Sequence, residues 1–147
     1  MKSMKLPDVN IWFSLSVKAH PCHTSSEAWL DEQEDADSIR FCRPTQQGFM
    51  RLLTTASVMK IYALDPANNQ TAWKVFETFC MDDRIAFADE PPGIEETWKS
   101  LALRKTSSPK LWMDAYLAAF AINSGFQLVT ADKAFTQFKG LDLHLIE

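Results

Sequence analysis

Five short apolar runs punctuate this chain of 147 residues, at 5–8, 38–42, 84–88, 126–130 and 141–146, and helix-like stretches lie between them. Antiparallel strands can be joined by a two-residue hairpin, but a connection that holds a helix of ten or more residues has to cross over the sheet. Its flanking strands then run in the same direction, and the helices must cover the faces of the sheet. The alternation therefore predicts an α/β sandwich with a mainly parallel central sheet of about five strands. Hydrophobic residues make up 46% of the chain, enough for one buried core, and the expectation is a single domain over residues 1–147.

The helices are legible from their spacing and their boundary residues. The first runs from Val9 to about Lys18, with Trp12, Phe13, Leu15 and Val17 as core candidates, and the second spans Thr24 to Gln33. Pro44 is expected to end the second strand and Thr45 to cap a third helix through Gln46, Phe49, Leu52 and Leu53. Ala72, Trp73, Phe76, Phe79 and Cys80 lie on one face of a fourth helix, and Ile94, Trp98 and Leu101 on one face of the next. Ser108 as cap, Pro109 at the first helical position and Gly125 as the stop bound a helix over 109–124. A short helix over 133–138 precedes the last strand.

Ligands of open parallel sheets collect beyond the carboxyl ends of the strands. Asp8 ends the first strand and Asp132 follows the fourth, although each can also be read as a plain helix cap. Asp114 is harder to explain away, because it shares a stripe with Leu111, Ala115, Ala118, Ala119 and Ile122. An ionised group in an apolar seam requires a cationic side chain, a set of donors or a metal nearby. Three carboxylates gathered at one crevice repel one another unless a cation sits among them. Mg²⁺ suits such a set, since it prefers hard oxygen ligands, keeps several waters and can activate one of them against a phosphodiester without a His, Cys or Ser nucleophile.

The stretches Leu6-Pro7-Asp8-Val9-Asn10, Thr45-Gln46-Gln47-Gly48-Phe49-Met50-Arg51-Leu52-Leu53, Trp112-Met113-Asp114-Ala115-Tyr116-Leu117-Ala118-Ala119 and Val129-Thr130-Ala131-Asp132-Lys133-Ala134-Phe135 resemble, in this order, the motifs of PIN-domain nucleases, and within them the VapC-type toxins of bacterial toxin–antitoxin pairs. The resemblance implies a PIN-like α/β/α sandwich and a Mg²⁺-dependent endoribonuclease (Mn²⁺ substituting) that cleaves single-stranded or looped RNA. It also implies a homodimer and a small neutralising antitoxin partner. By the same resemblance Asp8, Asp114 and Asp132 are the catalytic metal ligands, supported by Asn10, Gln46, Arg51 and Thr130. The family's usual Glu at the start of the third helix is replaced here by Gln46 or Gln47, which can accept a hydrogen bond but brings no charge.

Other readings are weaker. A phosphotransfer protein of the haloacid-dehalogenase or receiver type would want an aspartate two residues after Asp8, where Asn10 stands. Neither a Walker-type lysine loop nor a Gly-x-Gly-x-x-Gly stretch supports a nucleotide switch. A PIN-like module that binds RNA or protein without cleaving it remains the alternative, through Gln46. His20 and His23, split by Pro21, lack the acid that would complete a zinc set. The net charge of −4 means that any nucleic-acid contact is local, drawn from basic residues scattered at Arg40, Arg43, Arg51, Arg104, Lys105, Lys110, Lys133 and Lys139. Three widely spaced cysteines and the lack of an apolar run of membrane-spanning length lead to the expectation of a reducing, cytoplasmic setting with no membrane partner.

Overall fold

The computed structural model describes residues 3–147. Its strands are β1 (Lys5–Pro7), β2 (Ile39–Phe41), β3 (Ile85–Phe87), β4 (Gln127–Thr130) and β5 (Leu143–Leu145), all parallel, in the order β3-β2-β1-β4-β5. The helices are α1 (Val9–Ser16), α2 (His23–Asp31), α3 (Arg43–Leu53), α4 (Ala56–Lys60), α5 (Asn69–Cys80), α6 (Ile94–Ala102) and α7 (Leu111–Ser124). A short 3₁₀ helix, Lys133–Gln137, joins β4 to β5.

Side chains alternate across a strand, so successive residues serve different cores. Leu6 and Leu128 face a cluster built with α6, α7 and the 3₁₀ helix, through Ala102, Leu117, Ala118, Phe120 and Phe135. Ile39, Phe41 and Val129 face the opposite cluster, with Trp12, Phe49 and Met59. There Trp12 stacks on Phe41 at 3.7 Å between ring centroids, a face-to-face fit only flat aromatic groups allow. From Leu117 to Ala121 helix α7 is buried all round, which explains why that stretch reads as continuously apolar, while Trp112 and Met113 in its first turn are exposed.

Several expected boundaries shift. Helix α3 starts at Arg43, so Pro44 lies in its first turn, where a missing N–H is harmless, and does not mark the end of β2. Thr45 does not cap that helix. Cys42 holds the cap position, and the Thr45 hydroxyl reaches back to accept the Cys42 N–H at 3.0 Å. Helix α7 begins at Leu111, after a turn closed by Leu111 N–H donating to Ser108 O. Helix α5 starts earlier than its apolar stripe, because Asn68 Oδ1 accepts from Thr71 N. Trp73 is not core: half of it is exposed, on the outer side of α5. Helix α4 was not expected, being five residues with one buried side chain and therefore no readable stripe.

The chain builds β1, β2 and β3 outward on one side and then returns to place β4 against the other side of β1. Connections diverge at this β1/β4 junction, and the crevice beyond the carboxyl ends of the two strands is where backbone groups and side chains face a ligand.

Candidate metal centre

Asp8 follows β1 at that junction, and its backbone N–H donates to Val129 O at 2.8 Å, locking it to β4. Its side chain caps α1, with Oδ1 accepting Val9 N–H at 2.7 Å, and Oδ2 accepts the Thr130 hydroxyl at 3.0 Å. Thr130 is wholly buried at the end of β4, and the same Oγ1 accepts the Asp132 N–H at 3.0 Å. Asp132 Oδ1 in turn accepts Ala134 N–H at 2.9 Å and caps the 3₁₀ helix. One hydroxyl thus ties together two aspartates far apart in the chain.

Asp114 comes from the first turn of α7, its side chain mostly covered. Lys110, one turn earlier, lies 2.6 Å from Asp132 Oδ2 and 3.6 Å from Asp114 Oδ2, and so bridges these two carboxylates. A cationic side chain beside Asp114 was the structural alternative to a metal, and Lys110 fills part of that role. It does not fill all of it: a single ammonium, with 69% of its side chain exposed, is shared between Asp114 and Asp132 and does not reach Asp8. Asp8, only 7% exposed, has no ion-pair partner among the described residues.

The electrostatics follow from these positions. Burial pushes the Asp8 carboxyl up to about 6, against the hydrogen bonds from Thr130 and Val9, and the charges of Asp114 and Asp132 push in the same direction. Burial also raises Asp114, with Lys110 opposing and Asp132 adding to the rise. Asp132 is held below its ordinary value, chiefly by the Lys110 hydrogen bond. All three aspartates therefore feel one another at a common crevice.

Among the described residues no group of three Asp, Glu, His or Cys side chains stands close enough together to hold a metal ion by itself. The donor set nonetheless fits Mg²⁺, which takes only one or two carboxylates directly and keeps waters for the rest of its octahedron. A buried carboxylate whose charge is opposed by two like neighbours is stabilised by a dication.

The supporting residues divide. Thr130 sits in the site. Gln46 is buried in the first turn of α3, with Oε1 accepting from Arg43 Nη1 at 2.6 Å, while Arg43 lies over the Phe87 ring. Asn10 is exposed on α1 and makes no hydrogen bond to the three aspartates. Arg51 and Gln47 line a groove between α3 and α5 that none of the aspartates borders. His23 Nδ1 meets Ser14 O, and its Nε2 lies 3.2 Å from Glu27, an arrangement of ordinary packing. Lys110 was visible in the sequence only as one scattered basic residue; its spacing of four from Asp114 on one helix was the signal that could have singled it out.

A five-stranded parallel sheet with this order, helices on both faces and acidic residues gathered at the carboxyl ends of β1 and β4 defines a class, and the chain belongs to the PIN domain family, whose profile matches residues 5–141. Over 144 residues it is 48% identical to Ribonuclease VapC41 of Mycobacterium tuberculosis, in both the CDC 1551 / Oshkosh and the ATCC 25618 / H37Rv strains, covering 97% of this chain and 99% of that protein. Two solved structures share the fold. The VapC20 toxin of Mycobacterium tuberculosis, described as cleaving the sarcin–ricin loop, aligns with a TM-score of 0.63 at 13% identity, covering 94% of this chain and 97% of that one. VapBC2 from Rickettsia felis, bound to a DNA fragment from their promoter, aligns with a TM-score of 0.61 at 14% identity, covering 98% and 99%.

Proposed function

We propose that this chain is a Mg²⁺-dependent endoribonuclease that hydrolyses RNA phosphodiester bonds and serves as the toxin of a type II toxin–antitoxin pair. The observation that carries the reading is the link from Asp8 through the Thr130 hydroxyl to Asp132, with Asp114 and Lys110 closing the far side. The near full-length likeness to a VapC ribonuclease supports the substrate and the class of partner.

Asp8, Asp114 and Asp132 would hold the ion. When bound, Mg²⁺ supplies an activated water and neutralises charge on the leaving oxygen of the phosphodiester. Thr130 and the Val9 N–H fix the Asp8 carboxylate, leaving little rotamer freedom to lose on binding. The Ala134 N–H fixes Asp132 by its Oδ1, so that Oδ2 faces Lys110. Lys110, on a flexible and exposed stem, is free to exchange its carboxylates for a substrate phosphate oxygen.

The test is incubation of the purified chain with single-stranded and looped RNAs in Mg²⁺ or Mn²⁺. Cleavage is expected with either ion and is lost both in chelator and in Asp8→Asn. Cleavage that survives in either control overturns the metal assignment. The reading extends to one PIN-like unit over residues 1–147 and a homodimer in the cytoplasm, with light scattering of the purified chain as the check on the dimer.

A second reading, a PIN-like module that binds RNA or protein with little or no cleavage, is favoured by one observation. The side chain at the family's usual acidic position is a neutral amide already engaged by Arg43. RNA binding without any cleavage in Mg²⁺ or Mn²⁺ would establish it.

A further inference from the structure

The loop between α6 and α7, the start of α7 and the 3₁₀ helix after β4 line an open groove of about 290 Å³ that has Asp114 and Lys110 on its wall and runs out past Arg104 and Gln137. A second cavity of about 400 Å³ shares Arg104, Ser108 and Pro109 with the first and ends on Trp112. The two adjoin at these three residues, and together they mark a path from Asp114 to an exposed indole.

Arg104 is held in this path without being neutralised. Its Nη2 donates to Gln137 Oε1 at 2.8 Å, and Gln137 Nε2 donates to Ala134 O at 2.8 Å. Ala134 is the residue whose N–H holds Asp132, so the arginine is anchored to the same backbone as a candidate metal ligand. Among the described residues no carboxylate lies within ion-pair distance of Arg104. A guanidinium fixed by a neutral amide keeps both its full charge and most of its donor fork for an anion.

Trp112 is 54% exposed although it stands on the first turn of the most buried helix. It is braced from one side. Trp98 meets its ring edge-on at 6.1 Å and donates Nε1–H to its carbonyl at 2.8 Å, and Trp98 is itself packed edge-on against Tyr116. A rigid aromatic ring with open surface, beside a free guanidinium and a phosphodiester-cleaving centre, suits a stacked base.

We propose that this path is a subsite for single-stranded RNA, in which Arg104 grips a phosphate next to the one being cleaved and Trp112 stacks an unpaired base. The proposal rests on the ribonuclease reading and adds to it the side chains that hold the substrate beside the cut: bases inside a duplex are stacked on each other and unavailable to Trp112.

The test is fluorescence anisotropy of a short labelled single-stranded RNA, and of the same RNA annealed to its complement, in chelator so that nothing is cut. Trp112→Ala is expected to weaken single-strand binding by roughly 5- to 150-fold, with Trp112→Phe close to the parent protein. Arg104→Gln is expected to flatten the slope of log affinity against log salt by about 0.7, one phosphate's share. Duplex binding should be weak and insensitive to Trp112. Parent-like single-strand affinity and salt slope in both Trp112→Ala and Arg104→Gln, in a chain that binds and cleaves RNA, overturn the subsite alone. Failure of the parent chain to bind or cut RNA in a parallel Mg²⁺ reaction overturns the ribonuclease reading and the subsite together.

Discussion

The hydroxyl of Thr130 donates to Oδ2 of Asp8 at 3.0 Å across the β1/β4 junction, and its oxygen accepts the backbone N–H of Asp132. A buried hydroxyl with both roles filled cannot be replaced by an apolar group without stranding a carboxylate oxygen and an amide. Thr130→Val keeps the shape and is expected to cost about 1–3 kcal/mol of stability. It should also weaken Mn²⁺ binding by roughly 10- to 100-fold, the range for loss of an orienting contact behind a ligand. Thr130→Ser should recover most of both. Chemical denaturation and isothermal titration with Mn²⁺ check this, and a Val variant that titrates like the parent removes Thr130 from the site.

Asp8 makes a prediction of unusual sign. Its carboxyl sits near 6 in the folded chain against an ordinary value of 3.8, so the protonated form stabilises the fold at low pH, and that contribution is lost as pH rises through about 6. In chelator at pH 7.5, Asp8→Asn should therefore be more stable than the parent, by up to about 3 kcal/mol, while cleaving no RNA. The gain should fade as pH falls and be gone below about pH 4. Thermal melts in chelator across this range check it; a lower Tm for Asp8→Asn at pH 7.5 would sink the account of Asp8 as a carboxylate whose charge is disfavoured chiefly by its burial.

The same protonation competes with metal. Mn²⁺ affinity of the parent chain should fall by roughly tenfold per pH unit once pH drops below about 6, because the ion must displace a proton from Asp8. Titrations at several pH values check the break; an affinity flat down to pH 5 would mean that Asp8 is not a ligand.

How much of this was legible in the sequence depended on whether the relevant physics is local. The parallel sheet was readable because crossover length forbids hairpins, and the α7 stop was readable because Gly125 takes φ +70, a region closed to most side chains. Asp114 stood out because a carboxylate in an apolar stripe needs a partner wherever the rest of the chain goes. The Thr45 cap was misplaced because Cys42, a poor capping residue by composition, holds that position with Thr45 folding back onto it. The role of Lys110 depends on how β4 brings Asp132 beside α7, a tertiary fact with no local trace beyond a spacing of four. Asn10 and Arg51 came from motif likeness, and among the described residues neither makes a hydrogen bond to the aspartates.

Gly48 controls how closely α3 approaches the site. A Cβ built there meets Val9 Cγ2 at 2.7 Å, a clash inside the α1–α3 contact and one residue from Asp8. Helix propensity alone would favour Ala by up to about 1 kcal/mol, but overpacking of about 1–3 kcal/mol should win. Gly48→Ala is expected to lower stability and RNA cleavage together, and Val9→Ala in the same chain should restore both. Denaturation and cleavage assays on the single and double variants check it; a stabilised Gly48→Ala would show that α3 can move away freely.

Lys110 separates the role of a structural ion pair from that of a placeholder. It holds Asp132 below its ordinary value, so the pair's contribution is present above about pH 4 and is lost as pH falls. Its side chain is largely exposed, which limits that contribution to about 0.2–1 kcal/mol in the metal-free chain. The same ammonium repels an incoming dication, by about 1 kcal/mol for unit charges about 4 Å apart in water, and the dication's second charge adds to this. Lys110→Met should therefore lower stability slightly in chelator and yet tighten Mn²⁺ binding by about fivefold or more, opposite signs that a purely structural ion pair does not produce. Melts in chelator and Mn²⁺ titrations on the same preparation read both. Weaker Mn²⁺ binding in Lys110→Met would mean that the lysine organises the carboxylates for the ion and does not compete with it.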